Sequence, residues 1–162
     1  MHNTIMLHYR VHERYNEYSM SCDISLLRSI TPIRLGRLVK RVAIMKRPPR
    51  VKLAYVSGWG SINREQDLPQ KIKYIKQEIQ ANRVCGKYLS LPDGTFCAGP
   101  ITGAGHPAVG DSGSALVVQK YVQIVIVSFK EENYSLVVYT NVSYYYDWIR
   151  KNAAFTYCAR AG

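Results

Sequence analysis

Gly110-Asp111-Ser112-Gly113, running directly into the apolar stretch Ser114-Ala115-Leu116-Val117-Val118, is the part of this chain on which its reading turns. A serine between glycines can sit on a tight turn with its hydroxyl exposed. The same turn can aim the Gly110 and Ser112 backbone N–H groups at one point. In an acyl-transfer site each such donor is worth about 3–4 kcal/mol. Taken alone, the four residues fit a plain Gly/Ser turn equally well. Downstream, Ser114–Val118, Val122–Phe129 and Leu136–Val142 read as strands. Tyr144–Ala154 reads as a helix, with Ser143 as N-cap and Asp147 in its first turn. Upstream, Gly94–Gly113 carries six glycines and two prolines and reads as loop. Arg37–Met45, Val51–Val56 and Ile72–Ile79 read as strands, Ala81–Tyr88 as a short helix, and residues 1–20 as loop. Lys46-Arg47-Pro48-Pro49-Arg50 is a connector, because its prolines remove backbone donors. Many short strands with Gly/Pro turns predict an all-β barrel or sandwich.

The 162 residues suit one domain, and 47% hydrophobic residues suffice for a packed core. No apolar run reaches the length of a spanning helix, which argues against a membrane partner. Met1–Tyr15 is polar and charged, so no signal peptide is expected there. Net charge is +11, with the densest basic stretch running from Arg28 to Lys52. No nucleic-acid-binding pattern accompanies it, so a solvated basic surface is the simpler reading and a nucleic-acid partner is not expected. The four cysteines, Cys22, Cys85, Cys97 and Cys158, show no C-x-x-C spacing, so no metal site is expected. No cofactor is implied either.

Further motifs place Gly110–Gly113 in context. In chain order they are His12-Glu13-Arg14-Tyr15, Asp23-Ile24-Ser25-Leu26-Leu27, Ser57-Gly58-Trp59-Gly60, Phe96-Cys97-Ala98-Gly99, Ile126-Val127-Ser128-Phe129, Val138-Tyr139-Thr140-Asn141-Val142 and Trp148-Ile149. With them the chain resembles the trypsin/chymotrypsin family of serine proteases over roughly residues 11–153. The resemblance implies a chymotrypsin-like antiparallel β-barrel with a C-terminal helix. Residues 1–45 stand for the tail of a first barrel and a connector, 46–142 for a complete second barrel, and 143–162 for the helix and tail. It also implies an extracellular setting and a protein or peptide substrate. Ser112 takes the nucleophile's place and Asp23 that of the acid that orients the histidine. Gly110 and Ser112 supply the oxyanion-hole amides. Asp111 stands where activated members pair an acid with a freed N-terminal amine, and Ser128 where the family supports the triad acid.

Two elements of that pattern are not found. None of His2, His8, His12 and His106 has the family's Ala-Ala-His-Cys context. By alignment His12 belongs to a surface loop, and His106 to the specificity pocket. A serine hydroxyl needs a base to attack at neutral pH, so the chain as written is expected to be inactive or nearly so. No activation junction precedes Asp111, so its loop is expected to shift or its carboxylate to reach solvent. Ile24, Leu26, Leu27, Ile30 and Ile33 are expected to lack packing partners. A non-catalytic homologue that binds a protein through the old cleft is the alternative.

The resemblance pairs Cys85 with Cys97 as a disulfide. Two other family bridges are lost in both halves: Ala54 and Val118 stand for one, and Ala108 for one side of the other. Cys22 and Cys158 could pair, stay free or seek outside partners. The specificity pocket aligns with His106, Ser128, Phe129, Lys130 and Val137. His106 stands where trypsin-like members carry an Asp, so cleavage after Lys or Arg is not implied and a shallow pocket for small apolar residues is expected. Asn133-Tyr134-Ser135 and Asn141-Val142-Ser143 fit the glycosylation acceptor, Asn133 being the better placed. Tyr144-Tyr145-Tyr146 reads as helix packing rather than a stacking platform.

Overall fold

The computed structural model describes residues 6–63, 65–103, 105–131 and 133–158, with side chains undescribed at 6–7 and beyond 153. Strands β1 (Met6–Val11) and β2 (Ser25–Ser29) form an antiparallel two-stranded ribbon. The remaining strands are β3 (Ala43–Ile44), β4 (Leu53–Gly58), β5 (Lys73–Glu78), β6 (Thr95–Ala98), β7 (Ala115–Val118), β8 (Val122–Lys130) and β9 (Val137–Asn141). They make one sheet in the order β5-β4-β7-β8-β9-β6, with β3 alongside β8 in parallel. Helix α1 (Asn82–Cys85) precedes β6, and α2 (Tyr146–Cys158) ends the fold.

The sheet curls back on itself. Its outer strands meet through an Ile79–Ala98 bridge, with Gly99 N–H donating to Glu78 O at 2.8 Å and Gln80 N–H to Cys97 O at 3.1 Å. Closure of this kind removes open edges. The enclosed core holds Ala54, Val56, Leu116, Val118, Val125, Val127, Val137 and Tyr139. In β9, Val137, Val138, Tyr139 and Thr140 are all buried, where an edge strand would alternate. The reason is that both faces are covered. Val137 and Tyr139 join the barrel core, while Val138 packs beside Leu136, Leu89 and the Cys85–Cys97 disulfide.

Four local expectations need correction. Residues 1–20 include strand β1, which pairs only with β2 and leaves Tyr9 exposed, so its pattern is not that of a core strand. The stretch Gly94–Gly113 is interrupted by β6, whose flanking Gly94 and Gly99 take left-handed φ of +76° and +104° and mark strand ends. Of Arg37–Met45 only Ala43 and Ile44 pair, because residues 30–42 all lie exposed. Ser143 does not cap α2; its N–H and Oγ both bond to the Asn141 side chain, and the helix begins three residues later.

Contrary to the expectation that they lack partners, Ile24 is buried against Val142, Tyr145 and Ile149, and Leu26 is half-buried against the same cluster. Leu27, Ile30 and Ile33 are exposed.

Candidate active site

Asp23 stands two residues before β2 and is held from two sides. Its carboxylate accepts the Ser128 hydroxyl at 2.6 Å, and its backbone carbonyl accepts the Thr140 hydroxyl at 2.8 Å. Ser128 lies in β8 and Thr140 in β9, both buried. With Ile24 seated in the core next door, the acid is fixed to the closed sheet rather than to the exposed ribbon.

Asp111 is also held. Its Oδ1 accepts the Gly60 N–H at 2.9 Å and its Oδ2 the Ala108 N–H at 3.0 Å. The carboxylate is half-buried and accepts two backbone amides, so of the two expected outcomes it does not reach into solvent. The cradle depends on Gly58 and Gly60, where a Cβ at either position would overlap the Asp111 carboxylate.

The next residue, Ser112, is exposed. Gly110 sits at φ +97°, and a Cβ there would come within 3.2 Å of the Gly60 α-carbon. Gly113 N–H donates to Val127 O at 2.9 Å, and Ser114 N–H to Asp111 O at 2.9 Å. Among the described residues, the Gly110 and Ser112 N–H groups have no hydrogen-bond acceptor, and the Ser112 hydroxyl has no partner. The turn therefore offers an exposed hydroxyl beside two uncommitted amides.

The described histidines lie elsewhere. His12 packs against Trp148 and Tyr145 with ring centroids 4.9 and 5.3 Å apart, and its Nδ1 accepts the Arg14 N–H. Beside it, the Glu13 carboxyl is held below the usual carboxylate range, first by a backbone hydrogen bond and then by the Trp148 indole N–H at 2.8 Å. His106 Nδ1–H donates to the Pro107 carbonyl at 2.9 Å. No hydrogen bond or ion pair joins His8, His12 or His106 to Asp23 or Ser112. His2 lies outside the described residues.

The five residues aligned with the specificity pocket separate. His106 and Lys130 line a cavity of about 890 Å³ with Gly103, Ala108 and Asn133. Phe129 faces another, of about 690 Å³, with His12, Tyr18, Cys22 and Trp148. Ser128 turns to Asp23, and Val137 is buried in the barrel core. Lys130 is occupied as well, its Nζ donating to the Glu131 and Tyr134 carbonyls. Cys85 and Cys97 form a disulfide, while Cys22 forms none. The Cys158 side chain lies outside the described residues. Among the described residues no cluster could hold a metal ion.

The sequence reading missed Thr140 and the Asp111 cradle. The signal for the cradle was present: two glycines flanking Trp59, at positions where nothing in the local sequence demands a turn.

Residues 3–149 match the Trypsin family model. The chain belongs to the trypsin family of serine proteases. It is 33% identical over 150 residues to Trypsin eta of Drosophila melanogaster, covering 86% of this chain and 56% of that protein. To human Kallikrein-2 it is 32% identical over 142 residues, covering 83% and 54%. Transmembrane protease serine 11G of Mus musculus is 29% identical over 161 residues, covering 89% and 38%. The chain thus spans about two-fifths to just over half the length of these relatives. The solved structure of neuropsin, a serine protease expressed in the limbic system of mouse brain, superposes with a TM-score of 0.84 at 27% identity. It covers 93% of this chain and 71% of that one. No described helix of this trypsin-family chain is long and apolar enough to cross a membrane.

Proposed function

We propose that this chain carries part of the machinery for peptide-bond hydrolysis through a serine acyl-enzyme, and that the 162-residue chain by itself is inactive or nearly so. Ser112 is the nucleophile, Gly110 and Ser112 the oxyanion-hole amides, and Asp23 the acid, with Ser128 supporting it. Asp111 is the activation acid, and its cradle holds the nucleophile turn in place. The substrate is a protein or peptide, met outside the cell.

One observation carries the reading. The acid is fixed and the hydroxyl is exposed, yet no described imidazole is hydrogen-bonded to either. Loss of one triad member can lower turnover on the order of 10⁶, leaving about 10³–10⁴ over water from the oxyanion hole and binding. The test is an intact-mass measurement after exposure to a fluorophosphonate probe. Ser112 is expected to stay unlabelled; stoichiometric labelling at Ser112 overturns the proposed inactivity.

A second reading, a non-catalytic homologue that binds a protein partner, is favoured by the cavity of about 690 Å³ beside Phe129. Its aromatic lining, His12, Tyr18 and Trp148, suits an inserted side chain.

A further inference from the structure

Two sequons occur, and folding treats their asparagines differently. The Asn141 side chain is consumed: its Oδ1 accepts both the N–H and the hydroxyl of Ser143, at 3.0 and 2.7 Å. The bonded hydroxyl belongs to the sequon's own serine. This bond closes the turn that leads into α2, so Asn141 is half-buried at the root of a helix. Asn133, by contrast, is exposed in the short connection between β8 and β9. That connection is pinned from beneath, not from the asparagine. Lys130 Nζ donates to Tyr134 O at 3.1 Å, Ser135 N–H donates to Ile101 O at 2.9 Å, and the Ser135 hydroxyl bonds to Gly103 O. No described hydrogen bond uses the Asn133 side chain.

We infer that Asn133 is an N-glycan acceptor and that the attached glycan covers the mouth of the cavity bordered by His106 and Lys130. The modification rests on the extracellular reading, since the donor is met in the secretory pathway. The chemistry is a glycosyl transfer from a lipid-diphosphate oligosaccharide. The Asn133 amide nitrogen attacks the anomeric carbon, the new C–N bond forms as the C–O bond to the diphosphate breaks, the amide loses one proton, and the lipid diphosphate leaves. Transfer has to come before folding is complete, because the folded chain buries Ser135. Once folded, Asn133 lies in the wall of the 890 Å³ cavity. A branched, hydrated oligosaccharide is too bulky to turn inward, so it stands over the opening. Small molecules can pass it and protein-sized ones are hindered.

The full chain is secreted from glycosylation-competent cells behind a cleavable leader and treated with a peptide N-glycosidase in heavy-oxygen water. The expected result is a mass loss with the heavy label at position 133, abolished by Asn133→Gln and retained in Asn141→Gln. No mass loss, or label at Asn141 instead, overturns the inference. Attachment precedes folding, so a misfolded variant still reports. For the covering role, added trypsin cuts after Lys130, normalised to the cut after Lys120 in the distant β7–β8 turn. The occupied chain should be cut at Lys130 several-fold more slowly than the same chain after glycan removal. Equal rates overturn the covering role. If the leader-borne chain is modified while the protein from its own cells is not, the extracellular reading fails and the acceptor assignment stands.

Discussion

Replacing Gly60 with alanine tests whether the Asp111 cradle holds the Gly110–Gly113 turn. Gly60 is buried and its φ lies outside the left-handed region, so alanine is allowed by the backbone. The conflict is with the carboxylate, which the new methyl would overlap. Asp111 then has to leave, and the Gly60 and Ala108 amides lose the acceptors they hold at 2.9 and 3.0 Å. Hydrogen bonds to charged groups contribute about 1.5–3 kcal/mol each. The displaced carboxylate is only half-buried and regains some hydration, so the net loss should be about 2–4 kcal/mol. In a domain of this size that lowers the thermal midpoint by roughly 5–15 °C.

Urea denaturation followed by circular dichroism measures the loss. Gly36→Ala, at an exposed position with nothing within 4 Å, is the control and should lie within about 0.5 kcal/mol of the parent. Asp111→Ala supplies the decisive comparison. Without the carboxylate the methyl has nothing to displace, so Gly60→Ala should cost under about 1 kcal/mol in that background. A Gly60→Ala variant as stable as the parent, or one that costs the same in both backgrounds, refutes the reasoning.

Three other outcomes follow from the same contacts. Ser128→Ala removes the donor to Asp23 and should lower stability by about 1–2 kcal/mol in the same urea assay. Replacing Cys85 and Cys97 together with alanine opens a loop of sequence separation 12 and should cost about 3 kcal/mol by the chain-entropy account, with reductant reproducing the effect on the parent. Burial raises the Tyr139 phenol, with the Asp111 charge adding to it, and burial likewise raises that of Tyr145. A raised folded pKa leaves stability intact below the unfolded value of about 10 and erodes it as pH climbs above that value. With the Tyr139 phenol held neutral its share of the loss should approach about 1.4 kcal/mol per pH unit, and Tyr139→Phe should remove that share. The same variant should gain about 1 kcal/mol at pH 7, because the Tyr139 hydroxyl is buried without a partner.

What could be read from the sequence was whatever local pattern alone decides. Leu116–Val118 and Val122–Phe129 alternate or run apolar because they line one closed core, so their strands were legible. Strand β6 was hidden because glycines crowd both its ends and imitate a loop. Strand β1 was hidden because its pairing with β2 lies outside the main core. The serine turn and the acid were legible through their neighbours in sequence. Of the acid's two anchors Ser128 was legible through the resemblance, whereas Thr140, 117 positions from Asp23, is brought to it only by folding. The aligned pocket residues separate for a related reason. Alignment fixes order along the chain, whereas the β8–β9 connection, held by Lys130 and Ser135, decides which way each wall faces.

The anchoring also bears on whether an imidazole supplied from solution could act at this site. Were Asp23 positioned by the exposed ribbon, the acid would be free to wander when that ribbon lacks cover. Instead its side chain and its carbonyl are tied to two neighbouring buried strands, and Ile24 is packed against α2 and its approach. Asp111 is likewise tied to the loop after β4, and the Gly110 and Ser112 amides remain uncommitted. Both halves of the candidate site are thus held by the closed sheet, each through neighbouring residues of β8, Ser128 and Val127. An imidazole supplied from solution would therefore meet an acid and a hydroxyl turn that the sheet already holds. Free imidazole at high concentration is the simplest such supply. It should raise fluorophosphonate labelling of Ser112 in the parent and leave Ser112→Ala unlabelled, and Asp23→Ala should lose part of the gain. Labelling that ignores added imidazole, measured on chain whose urea midpoint shows it folded, means that the acid and the hydroxyl are not held in a usable relation.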